Sequence, residues 1–213
     1  MRIKRISIKG QVFDLIKEKI LKKEYKLGEY INIQELTRQL SVSNTPIREA
    51  LSSLEAEGLI ELSDNSKYKV IDLSEKEIVD LNESILILLL GSLNLIRQKN
   101  RVAILEDLLE KAYLDHLKIY EMKKAFDYEY IKTSLNFDRQ FVVATDNVYM
   151  GREFDSLVNL LLLTSIYNKS AYKDIHFEEH RLMFEAIKKR DFDEIENILK
   201  RHFNKKESDM DYS

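Results

Sequence analysis

The stretch SNTPIREALSSLEAEGLI, residues 43–60, decides how the first third of this chain folds. It contains Pro46, the only proline among 213 residues. Proline lacks the N–H that a helix interior needs, but it is tolerated in the first helical turn, where that N–H has no partner. We therefore predict a helix that is capped by Ser43, has Pro46 in its first turn and ends at Gly58.

Two further helices are predicted before this one. An apolar stripe predicts a helix over about residues 9–23, and Gly28 follows it in a turn where a positive φ is available to glycine. Asn32 and Glu35 have the spacing of a capping box, which predicts a second helix up to about Leu40. Two helices joined by a tight turn form a helix-turn-helix.

Two β-prone runs follow, over residues 59–62 and 68–71, with a turn-rich connector between them. Such a hairpin after a helix-turn-helix forms a wing. The start of the third helix carries small polar side chains and one arginine, Arg48, which are groups that read base edges in the DNA major groove. The N-terminal part is therefore predicted to be a winged helix-turn-helix that binds double-stranded DNA.

The rest of the chain shows only helical periodicity. Ser74 and Glu77 have the spacing of another capping box, which predicts a helix directly after a short linker. The predicted helices cover residues 75–98, 102–122, 125–145, 149–168, 173–189 and 191–206. Six helices with short connections indicate an antiparallel bundle. We therefore expect a mainly α protein with two domains, a winged helix-turn-helix over 1–72 and an all-helical domain over 73–213.

Composition narrows the class of protein. The chain contains no cysteine, which excludes disulfides, thiolate metal ligands and a cysteine nucleophile. The first 70 residues carry 13 Lys and Arg against 10 Asp and Glu, whereas the remainder carries 21 against 27. A basic head on an acidic body suits a DNA-binding protein. The most apolar stretch, residues 85–96, is short and interrupted by Gly91, so we expect no membrane segment and a cytoplasmic location.

The N-terminal part resembles the DNA-binding domain of the GntR family of transcriptional regulators over about residues 7–71. The resemblance rests on a Gly-Glu pair after the first helix, the stretch SNTPIREALSSLEAEGLI and a hairpin that ends in Val70. In this family the third helix enters the major groove, and the wing lies on the adjacent backbone or minor groove. The resemblance implies DNA-binding roles for Gln34, Ser43, Asn44, Thr45, Arg48 and, on the wing, Lys67.

These residues are expected to have different roles in DNA recognition, some contacting bases and others the phosphate backbone. Arg48 is the expected base reader, because a bidentate arginine–guanine pair is the commonest specific contact. Ser43 and Thr45 are expected to hold the phosphate backbone. Gln34 matches a position where relatives often carry a contacting arginine. Asn44 departs from the family, which usually has arginine between the serine and the threonine, so the operator sequence cannot be borrowed from relatives.

The helical part resembles the FCD domain, the ligand-binding domain of the FadR-like branch of the family. The strongest match is EEHRLMFEAIKKRDFDEIENILKRHF, residues 178–203, which has a histidine at the start of one helix and another at the end of the next. A weaker match is NFDRQFVVATDN, residues 136–147. Many relatives bind a divalent metal through one aspartate and three histidines. The corresponding residues of this chain are Ser134, Asp138, His180 and His202.

Three of these four side chains, Asp138, His180 and His202, can ligate a metal, and imidazole with carboxylate suits zinc, nickel or manganese. The alternative is a polar pocket without metal, as in metal-free relatives. A competing local pair is formed by His176 and His180, one helical turn apart. The acidic side chains of Asp174 and Glu179 near this pair instead indicate a solvated helix face.

The effector is less constrained by the sequence. Relatives often hold a carboxylate ligand with an arginine on the first helix of this domain, at the position that Ile87 occupies here. The candidate effector-binding residues are Ser134, Arg139 and Ile87, with Arg139 supplying charge from elsewhere. A small carboxylate and a fatty or aromatic effector in a more apolar pocket both stay open. The aliphatic run over residues 85–90 is expected to be buried on all sides or to form a dimer contact.

Together these features predict a homodimeric, sequence-specific transcriptional regulator, most simply a repressor, that is controlled by a small-molecule effector. Two heads would bind a pseudo-palindromic operator. A DNA-binding protein with a vestigial, ligand-free body is one alternative. A metal-dependent helical enzyme using Asp138, His180 and His202 is another, but no general base, nucleophile or phosphate-binding loop stands out beside them. We therefore do not expect an enzyme.

Overall fold

The computed structural model describes residues 7–122, 128–167 and 173–203. The chain divides into two compact units, one up to Asp72 and one from Leu73 onward. The N-terminal unit contains α1 (Ile8–Leu21), α2 (Ile33–Leu40), α3 (Asn44–Ala56), β1 (Ile60–Leu62) and β2 (Tyr68–Val70). The C-terminal unit contains α4 (Glu75–Gln98), α5 (Val102–Glu121), α6 (Tyr128–Ala144), α7 (Val148–Tyr167), α8 (Lys173–Lys189) and α9 (Phe192–Phe203). The predicted mainly α architecture is confirmed.

Local hydrogen bonds and backbone angles shape the helix-turn-helix. The Glu35 N–H donates to Asn32 Oδ1 at 3.1 Å and thereby caps α2. Ser41, with a φ of 54°, makes the tight turn that leads into α3. Ser43 is the N-cap residue of α3, but its hydroxyl makes no capping hydrogen bond. Pro46 lies in the first turn, as predicted.

The wing is anchored to the rest of the N-terminal unit. β1 and β2 pair antiparallel, with Ile60 opposite Val70. Gly28 has a φ of 73°, and its N–H donates to the Val70 carbonyl at 3.0 Å, so the loop before α2 is tied to β2. α1 packs against α3, and both helices contribute fully buried side chains. These are Ile16, Ile20, Ile47, Leu51 and Leu54.

In the C-terminal unit, the turn between α8 and α9 places two histidines side by side. Arg190 turns the chain with a φ of 57°, and the Glu194 N–H donates to Asp191 Oδ1 at 3.1 Å at the start of α9. Two helices joined by so short a connection run antiparallel. His180 on α8 and His202 on α9 consequently lie next to each other, with ring centroids 4.9 Å apart.

Helix α6 supplies the inward-facing carboxylate. It packs against α4, α5, α7 and α8. Ser134 and Asp138, one helical turn apart, are both buried on the same face. Arg101 Nε donates to the Ala144 carbonyl at 2.6 Å, so a cation holds the C-terminal end of α6, where the helix dipole favours positive charge.

Helix α4 contains the aliphatic run over residues 85–90. By length and composition alone it could cross a membrane, a property that core helices of soluble bundles share. It packs against α6, α7 and α9, and Ile85 and Leu89 are fully buried. Its outward side carries Ile87, which is 71% exposed. Burial of this helix on all sides is therefore wrong for the single chain, because α4 lies at the edge of the bundle.

Candidate functional site

The candidate DNA-binding surface is the N-terminal end of α3 with its neighbours on α2 and the wing. Ser43, Asn44, Thr45 and Arg48 are all exposed there, and Gln34 is exposed at the start of α2. In the part of the chain that the structure describes, no hydrogen bond or ion pair engages the Arg48 guanidinium. Its donors are therefore available for a base edge or a phosphate.

Asn44 has a structural role that its position in the motif did not indicate. Its side-chain Oδ1 lies 2.8 Å from Thr37 Oγ1, and the Thr37 hydroxyl also lies 2.9 Å from the Ile33 carbonyl. A hydroxyl has only one hydrogen, so both contacts are satisfied together when the Asn44 amide is turned to donate to Thr37. Asn44 thus connects α3 to α2 at the edge of the candidate DNA-binding surface.

The turn of the wing presents two charged side chains, Asp64 and Lys67, beyond the paired strands. Glu61 and Lys69, opposite each other on β1 and β2, form an ion pair of 2.8 Å. Lys67 lies in the connecting turn, is exposed, and has its Nζ 5.9 Å from the centroid of the Tyr30 ring. The phosphate contact expected of Lys67 stays a prediction.

The candidate metal centre lies inside the helical unit, where α6, α8 and α9 meet. Asp138, His180 and His202 are 1%, 0% and 4% exposed. His180 Nε2 lies 3.3 Å from Asp138 Oδ1, and His202 Nε2 lies 3.8 Å from Asp138 Oδ2. One ligand atom of each residue lies within 4.8 Å of the others. The structure therefore brings together all three of the metal ligands that the sequence predicts.

Two of the three residues of this cluster have side-chain polar atoms that lack a hydrogen-bond partner among the described residues. Among the described residues, both oxygens of Asp138 and both ring nitrogens of His180 are buried without one. The 3.3 Å contact between the two side chains does not have the geometry of a hydrogen bond. Buried polar atoms almost always have a partner. Ligands of a tetrahedral zinc ion lie about 3.4 Å apart, close to the observed separations, so these residues fit a divalent metal.

Burial sets the protonation of His180. Desolvation lowers the pKa of its imidazole, and the neighbouring Asp138 carboxylate opposes this effect. The Phe137 ring stacks on the imidazole at 4.4 Å and contributes to its apolar surroundings. A neutral imidazole is the form that binds metal, because the ligating nitrogen must carry a lone pair.

The three predicted effector residues lie in different environments. Ser134 is buried one turn before Asp138, on the same face of α6. Arg139 forms two hydrogen bonds to Asp155 on α7, at 2.7 and 2.9 Å, and lowers the pKa of that carboxyl. The Ile87 side chain is exposed on the outside of α4. The structure therefore places only Ser134 in the interior beside the cluster.

Two residues of this interior were missed or misjudged from the sequence. His116 on α5 is fully buried, with its ring centroid 5.2 Å from that of His180. No spacing within α5 marks this histidine, so the sequence offers no signal for it. Glu179 is 4% exposed, with Oε2 2.7 Å from His202 Nδ1. The predicted solvated face around Glu179 is therefore wrong, because its partner comes from another helix.

Comparison with known proteins identifies both units. Residues 8–70 match the bacterial regulatory proteins of the gntR family, and residues 97–205 match the FCD domain. The chain belongs to the GntR family and carries an FCD domain. It is a transcriptional regulator with a DNA-binding helix-turn-helix unit and a ligand-binding helical unit. The family is one of bacterial regulatory proteins.

Similar proteins cover nearly the whole chain. It is 26% identical over 204 residues to the uncharacterized HTH-type transcriptional regulator YdhC of Bacillus subtilis (strain 168). The aligned region covers 91% of this chain and 87% of YdhC. A putative GntR regulator from Rhodococcus sp. RHA1 shares the fold with a TM-score of 0.68 at 15% identity, covering 94% of this chain and 95% of its own. For E. coli McbR/YncC the TM-score is 0.62 at 21% identity, covering 93% and 94%.

Proposed function

We propose that this regulator is a cytoplasmic homodimeric repressor whose affinity for a pseudo-palindromic operator is set by a divalent metal and a small effector in the helical unit. The main support for this proposal is the buried cluster of Asp138, His180 and His202, which contains unsatisfied polar atoms. Imidazole and carboxylate ligands suit zinc, nickel or manganese. A bound ion would supply a positive charge and an open coordination position in the interior.

The effector class follows from this chemistry. Three protein ligands leave a position at which an anionic oxygen can bind a metal. Arg139 is occupied by Asp155, so this arginine is not available to a carboxylate, whereas a bound metal would be. Ser134 offers a hydroxyl one turn away. A small carboxylate is therefore the proposed effector, and its binding would shift operator affinity by the coupling typical of two-site proteins, about 1–3 kcal/mol.

Metal content tests this proposal. Purified, untagged protein is expected to retain about one zinc, nickel or manganese ion per chain, and His180→Ala is expected to lose it, because two of the three ligands are too few to hold the ion. Elemental analysis gives the content, and operator titration with and without a chelator shows whether the metal is coupled to DNA binding. Metal-free wild-type protein that shows no thermal shift with any of these ions would contradict the metal site.

The outer face of α4 supports the homodimer. Ile87 is 71% exposed, and a Cβ built at Gly91, one turn later, meets no atom within 4 Å. An exposed aliphatic side chain beside an open glycine allows the backbones of two helices to approach closely. We propose that this face of α4, defined by Ile87 and Gly91, forms the contact between two copies.

Ile87→Ala is expected to raise the dissociation constant of the dimer about tenfold, which corresponds to about 1.4 kcal/mol of lost apolar contact. Analytical ultracentrifugation over a concentration series measures this constant. Leu114→Ala is the matched control, since Leu114 is 56% exposed on α5. Equal dissociation constants for the two variants would remove this face of α4 from the interface.

A further inference from the structure

We propose that Glu179 is a positioning residue that fixes the ring of His202 so that its Nε2 lone pair faces Asp138, ready to bind metal. This inference rests on the proposed metal site and deepens it. It assigns a function to a buried carboxylate that is not itself among the predicted ligands.

The geometry around His202 defines its tautomer. Glu179 Oε2 lies 2.7 Å from His202 Nδ1, and both side chains are buried. A carboxylate only accepts hydrogen bonds, so Nδ1 must carry the hydrogen. In a neutral imidazole the other nitrogen, Nε2, then holds the lone pair. That nitrogen is the one 3.8 Å from Asp138 Oδ2.

Arg201 holds Glu179 in this orientation. Arg201 Nε donates to Glu179 Oε1 at 3.1 Å, while the other oxygen, Oε2, contacts His202 Nδ1. The result is a continuous chain of contacts from Arg201 through Glu179 and His202 to Asp138. Metal-ligating histidines characteristically donate their second N–H to a carboxylate, which fixes the ring and raises its basicity.

His180 shows why this support matters. Neither of its ring nitrogens has a hydrogen-bond partner among the described residues, so packing against Phe137 orients the ring but does not select a tautomer. Of the two histidines that approach Asp138, His202 is thus the one with a carboxylate on its far side. We expect Glu179 to provide most of the preorganisation of the site.

A second arrangement of the same atoms must be distinguished. His176, Glu179 and His202 also lie close enough to hold an ion, with the His176 and His202 rings 4.6 Å apart. Arg201 already places a positive charge on Glu179, which opposes a second cation there. The positioning role is therefore favoured, and it requires one ion per chain rather than two.

Zinc titration of the full-length protein tests the proposal. In Glu179→Gln, the amide oxygen is expected to face Arg201 and the NH₂ group to face His202 Nδ1, which favours the tautomer that cannot bind through Nε2. We expect zinc affinity to fall about 10- to 100-fold, as for other residues that support metal ligands. Glu178→Gln is the matched control, since Glu178 is an exposed neighbour that pairs with Arg181. It should leave zinc affinity unchanged.

NMR spectroscopy of the His202 tautomer distinguishes a loss of positioning by Glu179 from misfolding of the variant. Long-range ¹H–¹⁵N correlation spectra of the metal-free protein should show the Nδ1–H tautomer for His202 in the wild type and in Glu178→Gln, and its loss in Glu179→Gln. Unchanged zinc affinity or an unchanged tautomer in Glu179→Gln would overturn the proposal. Two zinc ions per chain, one of them lost in Glu179→Gln, would replace it with the second arrangement. Absence of zinc binding by the wild type would instead refute the proposed metal site itself.

Discussion

Replacing Phe137 by alanine is expected to lower the free energy of unfolding of the helical unit by about 3–5 kcal/mol. Phe137 is fully buried on α6, stacks on the His180 ring and contacts Phe141 edge to face, with centroids 6.4 Å apart. Alanine removes the whole ring and leaves a cavity that helices fixed on several sides cannot close. The loss of unfolding free energy is large because the substitution removes both packing contacts and buried apolar surface.

Urea denaturation followed by far-UV circular dichroism measures the effect, with the two units fitted as separate transitions because the chain contains two compact bodies. Ile104→Ala on α5 provides the control, because Ile104 is 42% exposed and its loss should cost much less. If Phe137→Ala destabilises the helical unit no more than Ile104→Ala does, the packing role of Phe137 is wrong.

Arg48→Ala is expected to weaken operator binding by about 1–3 kcal/mol, since it removes the guanidinium proposed to read a guanine edge. The head should stay folded, because the Arg48 side chain is exposed. Binding to an operator selected from a randomised duplex pool, and to a scrambled duplex, is measured by fluorescence anisotropy over a range of salt concentrations. The difference between the two duplexes isolates sequence recognition from phosphate attraction.

Arg48→Lys is the matched variant for this experiment. Lysine keeps the positive charge but lacks the planar fork of donors that contacts guanine at two points. It should therefore retain binding to the scrambled duplex and lose discrimination in favour of the operator. Unchanged operator affinity in Arg48→Ala would show that Arg48 does not read a base. Asn44 and Gln34 would then be the remaining candidates for base recognition.

The fold was largely predictable because its signals are local. Pro46, the Asn32 and Ser74 caps and the positive φ at Gly28 each depend on a few neighbouring residues, and each lies where the sequence placed it. At the helix ends that lie within the described residues, the boundaries differ from the predicted ones by one or two residues; α9, for example, begins at Phe192 rather than residue 191. The last predicted turn of α9, beyond residue 203, lies outside the described residues.

The site was only partly predictable because its contacts join distant parts of the chain. The resemblance to FCD domains pointed to Asp138, His180 and His202. By contrast, a pairing between helices decides the environment of Glu179, whose partner His202 is 23 positions away. Arg139 illustrates the same limit, since only the packing of α6 against α7 gives it Asp155 as a partner. Periodicity shows which face of a helix is inside, but not which polar groups meet there.

The unsatisfied atoms at the centre of the bundle link the cellular lifetime of the protein to ligand binding. Burying a carboxylate and an imidazole without hydrogen bonds destabilises the empty form. A ligand that satisfies these atoms binds only the folded state and stabilises it by mass action. Copies without ligand would open more often and be degraded sooner. The cellular concentration of the regulator, as well as its affinity for DNA, would then increase or decrease with the concentration of its ligand.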